Sequence, residues 1–186
     1  MRWFALAVAT VAFAACRKST QPPVVGDAAL SDSADQIAFD VRMNMTHSGV
    51  KRGELFADTM YVLNEQTRFL MRPVRANFHT ELGMPNGNMR GDRGTYDLRT
   101  KTLEGYGNVV VVSTKGERLT SNHLKYVETI NQVSSDSAYR LLRKGPNGDE
   151  IQTGVGFTSD PNLSKFKCKS VCGGSAPDML KQLPRR

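Results

Sequence analysis

From Gln36 onward the chain is a succession of short apolar runs of period two divided by polar turns, a pattern that builds sheet and leaves no room for a long helix. Ile37, Phe39, Val41, Met43 and Met45 alternate with polar Asp40, Arg42 and Asn44, so one face of that strand is expected to be buried. Phe69 and Met71 share one parity, whereas Val74, Ala76 and Phe78 share the other. Pro73 stands at the switch and cannot donate to a ladder, which marks a bulge or an edge position. Residues 83–88 read as a turn or loop by composition. In the next run Leu103, Val109 and Val111 agree in parity, while Gly105 and Gly107 permit a bulge or a close backbone approach. Val110 and Val112 make the second face of this run apolar too, which predicts cover by a neighbouring segment or by lipid. Residues 119–127 and 133–141 supply two further strands.

An internal repeat runs through these strands. Tyr61, Tyr96, Tyr126 and Phe157 recur at steps of 35, 30 and 31 residues, and each precedes a polar turn and another run centred on Phe69, Leu103, Val133 or Phe166. Two or three short strands per unit with no helix between them imply a stack of antiparallel hairpins, an open β-roll or a jelly roll. Such a stack has two end strands, and each is either capped or used to pair with another chain.

The other regions differ in composition. Arg2 precedes an apolar run over residues 3–15, and Phe13-Ala14-Ala15-Cys16 resembles a lipobox, the site at which bacterial signal peptides are cut and the cysteine acylated. Cys16 is therefore the expected lipidation site, with a plain signal peptide as the alternative. Thirteen helical residues reach roughly 20 Å, short of the roughly 30 Å hydrocarbon core, so an uncleaved span is the poorer reading. The expected organisation is a lipoprotein signal peptide over 1–15, a flexible polar tether over 16–35, the β domain over 36–173 and a basic tail over 174–186. The net charge of +7 favours an acidic partner without choosing among nucleic acid, anionic lipid and protein.

The ordered series Gly91-Asp92-Arg93-Gly94-Thr95-Tyr96, Leu103-Glu104-Gly105-Tyr106-Gly107-Asn108-Val109, Leu119-Thr120-Ser121-Asn122-His123-Leu124-Lys125-Tyr126 and Gly154-Val155-Gly156-Phe157-Thr158-Ser159-Asp160-Pro161 resembles the LptC family of lipopolysaccharide-export periplasmic proteins, part of an LptA/OstA-like superfamily. That resemblance implies an all-β fold, a single twisted antiparallel jelly roll whose apolar interior receives acyl chains, with no catalysis and no cofactor. It also implies the partners: lipopolysaccharide, an inner-membrane ABC transporter that delivers it, and an LptA-like jelly roll that pairs with the C-terminal edge. Nucleic acid is not among them. The family is usually held by an N-terminal transmembrane helix, in place of which this chain offers Cys16. A periplasmic domain tethered to a membrane by a lipidated cysteine is thus expected; the family favours the inner membrane, whereas Arg17 gives no retention signal.

A groove for acyl chains needs apolar faces lined by aliphatic, methionine and aromatic side chains. Phe39, Val41 and Met43 in the first strand, Val74 and Phe78, Val109 and Val111, Leu119 and Leu124, and Tyr139 and Leu141 have the required parity; each also fits a closed core. Arg68, Arg72, Arg75, Arg90, Arg93, Arg99 and Lys101 fit either phosphate contacts at a groove mouth or solvated faces. Cys168 and Cys172 suggest a disulfide, for which the chain has to turn at Lys169-Ser170-Val171; zinc lacks ligands, since His47, His79 and His123 show no matching spacing, and no metal is expected. Asp92, Glu104, Asp136 and Asp160 are isolated carboxylates, and no nucleophile or phosphate-loop motif is present. A structural or assembly lipoprotein that pairs with envelope proteins through its sheet edges is the alternative function.

Overall fold

A computed structural model describes residues 33–63, 65–145 and 148–175. They form one antiparallel sheet of ten strands: β1 (Gln36–His47), β2 (Val50–Leu63), β3 (Arg68–His79), β4 (Pro85–Gly91), β5 (Arg93–Asp97), β6 (Thr102–Val112), β7 (Arg118–Val127), β8 (Gln132–Gly145), β9 (Gly148–Ser159) and β10 (Lys167–Ser175). Neighbours in sequence are neighbours in the sheet, and β4 and β5 together make one broken strand between β3 and β6. The turn expected over 83–88 falls earlier: Thr80 accepts at its carbonyl from the Gly83 N–H and donates its own N–H to Met84, so Pro85 already opens β4.

From β1 to β9 the strands are interrupted at one level across the sheet. The interruption lies at Asp40 in β1, between Ala57 and Thr59 in β2, at the cis Arg72–Pro73 bond in β3 and at Asp92 between β4 and β5. It continues through Gly107 and Asn108, through residues 122–124, through Asp136 and Ser137, and through Gly156. Such bulges bend a sheet and re-aim its side chains. In β2 the residues of the core cluster are Leu55 and Ala57 before the bend but Met60 and Val62 after it, and in β3 they are Phe69 and Met71, then Val74, Ala76 and Phe78. The parity switch at Pro73 is thus one instance of a fold line at which the sheet doubles back on itself.

Folding over creates two packed layers from one sheet, as a jelly roll requires. The Phe78 ring from one layer meets Tyr126 from the other with centroids 4.6 Å apart. Two glycines set how closely the layers approach: a Cβ on Gly94 would meet the Val74 side chain at 2.7 Å, and one on Gly105 would crowd Met89 at 3.3 Å. Gly107 serves differently, since its φ of +71° forms the bulge itself.

Candidate functional site: an apolar interior and an outer furrow

Register turns the apolar residues into continuous ladders. On one layer Met43, Leu55, Ala76, Met89, Val111, Leu119 and Leu141 stand opposite one another strand by strand. The other layer carries Val62, Phe69, Tyr96, Leu103, Tyr126 and Val133. Phe69, Leu103 and Val133, the centres of three repeat units, share this ladder, and so do Tyr96 and Tyr126. The repeat slips at its ends, where Val62 and Ser159 occupy the ladder in place of Tyr61 and Phe157.

Val74, Phe78, Val109, Val111, Leu119, Leu124, Tyr139 and Leu141 are buried in one apolar cluster, and Val41 and Met43 pack against it half-buried at the β1 edge. Phe39 does not join them. It is 71% exposed because Asp40, at a φ of 51°, exchanges the faces of β1, and Ala38 turns inward instead. One buried face for the whole of β1 is therefore corrected to two faces, one on each side of Asp40. Asp and Asn tolerate this left-handed conformation better than other non-glycine residues. The interior is closed along its open long side by polar contacts between layers: Thr114 Oγ1 donates to Asn162 Oδ1 at 2.8 Å, and Arg143 Nη2 donates to the Leu163 carbonyl at 3.3 Å. Towards the β1 end, Tyr96 Oη donates to buried Glu128 Oε2 at 2.8 Å. Burial, with Glu128 adding to it, raises the Tyr96 phenol far above its ordinary value and the Tyr126 phenol to about 12, although Arg52 opposes the latter.

At the other end Tyr139, Phe157 and Phe166 pack in a triad with centroids 5.0–5.5 Å apart. Beside it Cys168 and Cys172 form a disulfide, with Cα atoms 6.0 Å apart, and β10 changes register between Ser170 and Gly173 where Val171 takes a φ of 49°. Asn131 supplies the left-handed residue of the β7–β8 turn, so no glycine is needed there.

The carboxylates have local partners. Asp92 accepts from Asn108 Nδ2, Glu104 accepts from Tyr106 and lies 3.5 Å from His123, Asp136 pairs with Lys169, and Asp160 accepts from Ser164 and the Lys165 amide. Among the described residues no three His, Cys, Asp or Glu side chains are placed to hold a metal ion, and no helix is long and apolar enough to cross a membrane. Cys16, residues 1–32 and most of the basic tail lie outside the described residues.

A cavity of about 780 Å³ opens on the outer face at the fold line. Arg75, Arg90, Val110, Thr120 and Arg140 form one cross-strand row along it. Val110 is 8% exposed there, between Arg90 and Thr120 in the row. Arg75 and Arg90 are among the seven basic residues that sequence alone brings forward; Arg140 joins them only through the register.

The fold is shared with LptH, the LptA homologous periplasmic component of the conserved lipopolysaccharide transport device from Pseudomonas aeruginosa: TM-score 0.52 at 11% identity, over 67% of this chain and 94% of that one. A search of curated proteins finds no match. The model of the family described as lipopolysaccharide-assembly, LptC-related matches residues 4–167, and the chain belongs to that family.

Proposed function

We propose that this member of a lipopolysaccharide-assembly family is a non-enzymatic periplasmic carrier whose two layers part to admit acyl chains between them. The observation that carries this reading is the apolar ladder crossing the strands from half-buried Met43 at the β1 edge to Leu141 in β8. A ladder of this kind offers one apolar surface along which a chain slides, and methionines at 43 and 89 adapt to varying shapes. The polar contacts at the long side, Thr114–Asn162 and Arg143–Leu163, are the weak joint along which layers separate, since partly exposed hydrogen bonds contribute little. In this reading an inner-membrane ABC transporter delivers lipopolysaccharide, an LptA-like jelly roll receives it at β10, and acylated Cys16 holds the domain at the membrane.

Photo-crosslinking residues at Val41, Val111 and Leu124 are expected to capture lipopolysaccharide in cells, and the same residue at Phe39 is not. If the interior positions capture no more than Phe39 does, the carrier reading fails. The alternative, an assembly lipoprotein acting only through sheet pairing, draws on exposed Phe39 in β1 and Val171 in β10, the two end strands. It predicts purification with partner proteins but without lipopolysaccharide. Fatty-acid labelling lost in Cys16→Ser tests the anchor.

A further inference from the structure

The furrow backs onto the apolar cluster at Val74, Val109 and Tyr139, but its outward row differs in chemistry. Arg75, Arg90, Val110, Thr120 and Arg140 succeed one another across β3, β4, β6, β7 and β8. Arg75 is neutralised, since its Nη2 donates to Asp58 Oδ1 at 2.7 Å. The guanidinium groups of Arg90 and Arg140 have no acidic partner among the described residues, and both side chains are exposed. Three inter-strand steps place their Cα atoms roughly 14 Å apart, with the furrow between them.

Around apolar Val110 the furrow carries neutral hydrogen-bonding groups and one carboxylate, Asp92. Thr120 and Ser121 donate their hydroxyls to the Arg140 and Ala138 carbonyls, which leaves the hydroxyl oxygens as acceptors. Asn122 presents its amide, and Asp92, held through one oxygen by Asn108, retains the other. Alternating acceptors and donors suit an array of hydroxyls, and unpaired arginines suit phosphate or carboxylate. A volume of about 780 Å³ lies within the ordinary range for small-ligand sites. We propose that this furrow binds a small anionic saccharide, a sugar bearing phosphate or carboxylate, with Arg90 and Arg140 holding its charged groups. The charged and hydroxyl groups that carry this site belong to the outward row and its neighbours, not to the apolar ladders of the transport reading.

The test is an amide-resolved NMR titration of the full chain in detergent micelles with glucose 6-phosphate, glucuronate, inorganic phosphate and glucose. Saturable shifts confined to the amides around Val110, Thr120 and Asn122 are expected with glucose 6-phosphate or glucuronate, and which of the two binds tighter distinguishes phosphate from carboxylate recognition. Arg90→Gln and Arg140→Gln should each weaken binding about tenfold, the loss of one charge-assisted hydrogen bond, without moving the melting temperature. Lys115→Gln, on an exposed turn away from the furrow, should change nothing. No saturable shift overturns the site, and so do undiminished binding in both arginine variants and shifts that map elsewhere. Glucose binding as tightly as glucose 6-phosphate overturns the need for an anion; inorganic phosphate binding as tightly overturns the need for a sugar.

Discussion

Val109 and Val110 are consecutive residues of β6 with opposite fates. Val109 points between the layers with Val74, Val111 and Leu119, where packing is apolar and closed. Val110 points outward in a row of arginines and a threonine. Burial is almost equal, at 1% and 8%, yet only the first belongs to the apolar cluster between the layers, while the second stands in a row with exposed arginines. Fractional burial alone does not reveal what a position contributes; what surrounds it does.

Substituting aspartate at the two positions is the sharpest way to break the contrast. Val109→Asp combined with Val111→Asp places two unpaired carboxylates in the interior at several kcal/mol each, against a typical total stability of about 5–15 kcal/mol. No cooperative melting transition is expected by circular dichroism, and lipopolysaccharide transfer should be lost with it. Val110→Asp, beside Arg90, should fold with a melting temperature within a few degrees of the parent. Equal damage from the two changes would mean that the faces do not differ in kind.

The interior is not wholly apolar, and its phenols give the next contrast. Tyr96 is raised far above its ordinary value by burial and by its bond to Glu128, and Tyr126 is raised to about 12 by burial. A folded-state value above the unfolded one stabilises the protein below the unfolded value, near pH 10, and that contribution is lost as pH rises further. Stability should therefore decline from about pH 10 upward. Tyr96→Phe should flatten this decline, while costing about 1–3 kcal/mol at neutral pH because Glu128 loses a buried donor. Denaturant titrations at pH 8 and pH 11 measure both, and an unchanged alkaline slope in the variant would contradict the assignment.

What was legible in the sequence is what alternation carries: a jelly roll of repeated hairpins, the parity switch at Pro73, and the two roles offered for glycine, close approach at Gly105 and a bulge at Gly107. What was not legible depends on register. Arg90 and Arg140 are 50 residues apart in sequence yet lie on one row, because the strand pairings and bulges between them add up to that juxtaposition. Phe39 misleads for a related reason: alternation assigns a face only while the strand stays regular, and Asp40 interrupts it without a glycine or proline to announce the break. Residues 83–88 have a loop's composition, but pairing with β3 draws Pro85 and its successors into β4, so tertiary context overrides local preference.

The disulfide tests how far edge strands share the stability of the interior. The bridge closes a short loop between Cys168 and Cys172, for which chain entropy gives about 2 kcal/mol, and β10 pairs on one side only. Replacing both cysteines by serine should lower the melting temperature by roughly 4–8 °C at most, far less than the interior aspartates do. A thiol count on the unreduced parent should find neither cysteine free, and exchange protection lost in the variant should be confined to β9 and β10.

The smallest expected effect belongs to an ion cluster at a strand edge. Glu54 Oε1 accepts from Lys51 Nζ at 2.8 Å and from Arg42 Nη2 at 2.9 Å. Lys51 first and Arg42 second hold its carboxyl at about 2 instead of 4.5, against a smaller opposing effect of burial. A lowered folded-state value stabilises the protein above the unfolded one, so this contribution is complete above about pH 5 and is lost as pH falls toward 2. Glu54→Gln should flatten part of the acid slope of the melting temperature and leave the rest to Asp97, Asp136 and Asp160, which are lowered too. Because Arg42 and Lys51 stand in solvent, 1 M salt, with a screening length of about 3 Å, should shrink the difference between parent and variant. The damage from Val109→Asp and Val111→Asp should persist at the same salt concentration, since no counterion replaces a missing apolar layer.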